Sequence, residues 1–165
     1  MKNNSNAGKS IAMVIGSLVW VSSALAQTLP KSGVIEATYT AAGSDVKDII
    51  VTGDDAVYLF ESTLLLANNP VSPLMQNVTA RCAEVGLSGA TATGYCVYAD
   101  KDGDKFIESF TYQVGDTKGK GTLGSGTGKY KGIEGQLVWE QVRALPSDKG
   151  TFNYIGKKTG SYRIR

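Results

Sequence analysis

The 165-residue chain carries 17 Lys and Arg against 15 Asp and Glu, with 20 Gly, two Cys and no His. Without histidine, Ser-His-Asp and Cys-His nucleophilic schemes and the common zinc sites are excluded, so any catalysis falls to carboxylates, Tyr, Lys or substrate positioning. The slight basic excess belongs to the first residues: omitting Lys2 and Lys9 leaves 15 against 15, which removes the electrostatic case for nucleic acid or an anionic membrane as partner.

Residues 1–26 have the three parts of a secretory signal peptide. Lys2 and Lys9 stand without an acid before the apolar run Ile11 to Val21, and Ala24-Leu25-Ala26 precedes Gln27 as a small-x-small cleavage site. An uncleaved anchor is the alternative, but the run falls short of the about 20 residues that span a bilayer. The expectation is cleavage, no stable membrane insertion, and export to the periplasm or the extracellular space. Residues 27–165 then form one domain.

From there the chain reads as strands and turns. Gly33 to Ala41 alternates, Val46 to Val51 is short and apolar, and Thr52-Gly53-Asp54-Asp55 is a turn. Ala56 to Leu66 fits helix or strand, and its Val, Tyr, Phe and Thr favour strand. Two prolines make Asn68 to Pro73 a loop. Gln76 to Val85 and Gly94 to Ala99 follow as strands, each carrying one cysteine. In an exported chain an even cysteine count reads as a disulfide, Cys82–Cys96; a redox pair is the alternative, but the C-x-x-C spacing is absent.

Asp100-Lys101-Asp102-Gly103-Asp104 begins like a calcium loop. Its sixth position is Lys105 rather than Gly and its twelfth Thr111 rather than Glu, whereas Asp102-Gly103 between two strands is a hairpin signal. A tight hairpin with solvated acids is therefore expected, with a weak cation site as the other reading; no metal or cofactor is predicted. On the next strand, Lys105 to Gln113, one face carries Phe106, Glu108, Phe110 and Tyr112 and the other Lys105, Ile107, Ser109 and Thr111. A carboxylate among three aromatics is a candidate general acid or base if that face points inward. Facing outward, it would sit at the rim of a subunit contact. The pattern leaves both open, because Ile107 lies on the opposite face. Glu36, Glu61 and Glu140 are weaker candidates of the same type.

Gly124 to Gln136, GSGTGKYKGIEGQ, fits neither phosphate-binding pattern. Leu123 stands where a P-loop needs Gly, Tyr130 where it needs Ser or Thr, and Lys129 where GxGxxG needs its last Gly. It reads instead as a bulged strand, a kink and the start of the next strand. Leu137 to Arg143, Thr151 to Ile155 and Ser161 to Arg165 complete about eight or nine short strands, the signature of a β-sandwich or a closed barrel.

Gly126, Thr127, Gly128, Tyr130, Gly132, Gly135 and Gln136 resemble the Gly-rich segment shared by allene oxide cyclases and plant dirigent proteins. The chain also resembles small secreted bacterial proteins of that barrel superfamily, in which a segment like Gly94 to Lys105 precedes the Gly-rich stretch. The resemblance implies a single antiparallel eight-stranded barrel and, by analogy, a homotrimer. It transfers no catalytic residue, since the matched positions form a barrel corner. Three roles follow for such a barrel. It binds a small apolar or amphiphilic molecule, with Phe110, Tyr112 and Tyr130 as aromatic contacts. Or it steers a cyclisation or isomerisation, with Glu108 or a tyrosine as the polar group. Or it is filled and acts only through its surface. Carbohydrate binding through Trp139, Tyr130 and Tyr154 is a further idea, and those rings are as readily core.

Overall fold

The computed structural model describes residues 29–53 and 55–165, so the predicted signal peptide, residues 1–26, lies outside the described residues. Eight strands, β1 (Ser32–Thr52), β2 (Asp55–Leu66), β3 (Val78–Leu87), β4 (Thr91–Ala99), β5 (Lys105–Gln113), β6 (Lys118–Gly126), β7 (Ile133–Leu145) and β8 (Thr151–Ile164), pair antiparallel in sequence order. β8 closes onto β1 through an unbroken ladder from Ser32↔Arg163 to Ser44↔Thr151. Closure removes both sheet edges, so the architecture is a barrel and not a sandwich.

Two predicted breaks are absent. β1 runs through Ala42–Asp45, joining two predicted strands, because Thr40 to Ser44 are laddered to β2 on one side and β8 on the other. β8 likewise runs through Gly156–Gly160. Gly156 looks like punctuation in the sequence but marks a close approach: any Cβ there would meet the Tyr39 ring at 2.2 Å. The Gly-rich stretch is a bulge, a kink and a new strand, as predicted. Ser125 is the extra residue between the pairs Phe106↔Gly126 and Ile107↔Gly124, at φ +50°; a 3-10 turn (Gly128–Tyr130) follows, and β7 starts at Ile133.

Period-two alternation separates the inside from the outside. One end of the lumen is filled. There the loop after β2 carries a 3-10 turn (Pro73–Met75) whose Leu74 and Met75 are fully buried, over a core that includes Ile35, Leu66, Val78, Ile133 and Ile164. Asn69 ties this loop to β1 where β1 has run past the end of β2: its Oδ1 accepts from Thr38 N (2.9 Å) and its Nδ2 donates to Thr38 O and Met75 O. A stacked Tyr98–Phe106 pair, with ring centroids 4.6 Å apart, and the Tyr130 ring complete the packing. The opposite end, ringed by the β1–β2, β3–β4, β5–β6 and β7–β8 connections, is not filled.

Candidate functional site in the open half of the barrel

A cavity of about 210 Å³ occupies the unfilled half. Seven aromatic side chains line it: Tyr39, Phe60, Phe110, Tyr112, Trp139, Phe152 and Tyr154. The alternation puts the Phe106–Tyr112 face of β5 inward, so three of the predicted site residues, Glu108, Phe110 and Tyr112, reach this wall. Tyr130 does not. It is buried in the filled end, packed on Phe106, and its hydroxyl donates to Asp100 Oδ2 (3.0 Å). Trp139 and Tyr154 are not sealed core but cavity wall. Glu36, Glu61 and Glu140 point outward, each beside a surface cation.

Glu108 is fully buried, and it is paired. Lys158 Nζ, crossing the lumen from β8, donates to Glu108 Oε1 at 2.9 Å and to Oε2 at 2.8 Å, and the Tyr98 hydroxyl donates to Oε2 at 2.6 Å. Lys158 is 2% exposed. Its ammonium also lies 5.3 Å from the Tyr39 ring centroid and 5.9 Å from that of Tyr98. Two charges removed from water persist only with such complete hydrogen bonding. Burial, then the adjacent Glu108 charge, pushes the Tyr98 hydroxyl well above its ordinary range. The arrangement marks the inner end of the cavity, where the open half meets the filled one. The room for it comes from small neighbours: a Cβ at Gly121 would meet Glu108 Oε1 at 2.4 Å.

A second polar chain lies closer to the mouth. Tyr112 Oη donates to Glu84 Oε1 at 2.7 Å, and the Tyr58 and Tyr112 hydroxyls are 3.4 Å apart. Burial pushes the Glu84 carboxyl up from its ordinary 4.5, and the hydrogen bond from Tyr112 offsets only part of that. Tyr112 itself is pushed far up, by burial first and then by its bonds to Tyr58 and Glu84. Asp116, on the β5–β6 connection, adds an exposed carboxylate to the wall, and the Trp139 Nε1–H is buried without a hydrogen-bond partner among the described residues.

The disulfide joins Cys82 and Cys96, which face each other directly across β3 and β4, and both cysteines line the cavity. The Asp100–Asp104 turn is a hairpin, with Gly103 at φ +84°. Its carboxylates are engaged internally. Asp100 Oδ1 accepts from the backbone N–H groups of Asp102 and Asp104, and Lys129 Nζ lies 2.7 Å from Asp100 Oδ2 and 3.1 Å from Asp102 Oδ2. Among the described residues no group of three or more acidic or cysteine side chains is placed to hold a metal ion.

The sequence reading missed Lys158 and Glu84. Lys158 was hidden by the supposed break at Gly156–Gly160; continuing the alternation through both glycines puts Tyr154, Lys158, Tyr162 and Ile164 on one face. Glu84 shares the parity of Val78, Ala80 and Cys82, a signal already present in the predicted strand.

No family model matches the chain, and no curated protein matches it. Among solved structures, the pterocarpan synthase dirigent protein GePTS1 is similar at a TM-score of 0.53, over 83% of this chain and 94% of that one, with 9% sequence identity. The fold is dirigent-like. At that identity the likeness concerns the backbone alone, and the residues inside this dirigent-like barrel have to be read on their own chemistry.

Proposed function

We propose that this protein is exported and binds a small apolar or amphiphilic molecule in the open half of its barrel. The observation that carries the reading is the contrast between the two ends: one is packed with Leu74, Met75 and stacked rings, whereas the other keeps a cavity of about 210 Å³ walled by seven aromatic side chains. Apolar pockets with a few placed polar groups are the usual form of a small-molecule site. Glu84, Tyr112, Glu108 and Lys158 are those groups here. The disulfide and the signal-like segment 1–26 support export.

A second reading, a cavity-steered cyclisation or isomerisation, is supported by the Tyr98–Glu108–Lys158 network at the inner end of the cavity. A carboxylate and an ammonium held there are positioned to stabilise charge developing on a bound substrate. Assembly as a homotrimer is the accompanying proposal. Native mass spectrometry of the protein purified from its own exporting host, followed by denaturing extraction, tests these together. A small molecule released on unfolding supports binding and defines the compound on which turnover is then assayed. An empty spectrum at trimer mass transfers the role to the outer surface.

A further inference from the structure

Among the described residues that wall the cavity, three carboxylates, Glu84, Glu108 and Asp116, face a single cation, Lys158. Lys158 is committed: both oxygens of Glu108 accept hydrogen bonds from its ammonium. Among the described residues Glu84 and Asp116 are left without a cationic partner, so the accessible lumen is net negative, and seven aromatic side chains line it. Aromatic ring faces carry negative quadrupole potential and attract cations, more strongly when water is excluded. The wall already holds one ammonium in this way, since Lys158 Nζ lies 5.3 Å from the Tyr39 ring centroid.

We infer that the molecule held in this barrel is a cation with an apolar body, an organic ammonium, seated among the Tyr112, Trp139, Phe152 and Tyr154 rings with Glu84 as its counter-charge. This rests on the cavity-binding reading above and narrows it. An anionic amphiphile is disfavoured by the same geometry, because Lys158 would have to leave Glu108 to meet it. The half-buried Glu84 carboxyl, pushed up from its ordinary 4.5 by desolvation, gains from a cation beside it a counter-charge that no other described residue supplies. Asp116 stands at the mouth, where a charge steers an approaching cation.

The test compares isosteric probes on the intact, oxidised protein, read through calorimetry with tryptophan fluorescence beside it. The probes are benzyltrimethylammonium, its neutral carbon isostere neopentylbenzene, and the anion benzylsulfonate. The expected result is that the ammonium binds roughly tenfold or more tightly than the neutral compound, and that benzylsulfonate binds weakest. Glu84→Gln should lower the ammonium's affinity and leave the neutral probe's unchanged, the rings keeping part of the preference, and Asp116→Asn, an exposed change that spares the folded interior, should slow its association. Equal affinities for the ammonium and the neutral probe, or tighter binding of the anion, overturn the cation assignment and leave a binding cavity standing. If none of the three probes binds, the cavity-binding reading falls, and this inference with it.

Discussion

Replacing Lys158 by Met keeps a chain of similar length in the lumen but removes the ammonium that gives Glu108 two of its three hydrogen bonds. The carboxylate is 0% exposed, so water does not take over those bonds. Removing one partner of a buried pair costs about 3–5 kcal/mol, because the desolvation of the remaining charge is no longer offset. In a domain of this size that is a fall of roughly 10–20 °C in Tm. Taking away both charges, with Glu108→Leu and Lys158→Met, has a different sign in its main contribution: apolar replacement of a buried pair is often neutral or stabilising by about 1–4 kcal/mol. The Tyr98 hydroxyl then lacks an acceptor, at about 1–3 kcal/mol, and Tyr98→Phe removes that cost. The single variant should therefore be much less stable than the parent, and the triple variant should lie near it. Equilibrium urea unfolding followed by Trp139 fluorescence and circular dichroism measures both. A loss below about 1 kcal/mol for Lys158→Met, the worth of an exposed pair, would refute the reasoning, as would a triple variant no more stable than the single one.

Gly121→Ala drives a methyl to 2.4 Å from Glu108 Oε1 and 2.8 Å from Leu137 Cδ1, and the expected loss is about 1–3 kcal/mol. The loss should shrink in the Lys158→Met background, where the carboxylate is free to swing; strictly additive losses would show that the ion pair does not hold it. Cys82→Ala with Cys96→Ala opens a cross-link spanning 14 residues, for which a loss of about 3 kcal/mol and roughly 6–12 °C in Tm is expected, and an unchanged melting curve would count against it. For Asp100, burial pushes the carboxyl up, but the hydrogen bonds from Lys129 and Tyr130 outweigh it and hold the group below its ordinary 3.8. A depressed carboxylate contributes stability above its unfolded value that is lost as pH falls through the folded one. Asp100→Asn should thus flatten the stability–pH curve below about pH 4, and a curve parallel to the parent's would refute the assignment.

Most of the strands are legible along the chain because period-two alternation and turn residues are local properties. The inward set of β5 is one of two choices the sequence offers, and the cysteine pair stands on strands that are adjacent in order. The losses have a common origin. Gly156 and Gly160 have the same local meaning whether they end a strand or let a neighbour lie against it, the Tyr39 ring at Gly156 and the Gln136–Leu137 segment of β7 at Gly160, and only the second case keeps Lys158 in phase with Tyr154. Tyr130 is an aromatic beside a Gly-rich turn, and nothing near it in sequence tells which end of the barrel that turn closes.

The sequence by itself determined the strand content, a bulge in the Gly-rich stretch, the pairing of Cys82 with Cys96 and the two alternative faces of β5. Each follows from residues within about one strand or hairpin of one another, where backbone preference and alternation act. Tertiary structure alone decided that Glu108 meets Lys158. Those residues are 50 apart on strands that are not neighbours in the sheet, and closing the barrel brings them across one lumen. It also decided that one end is filled and the other open, since that depends on how a complete ring of side-chain volumes sums inside a closed wall.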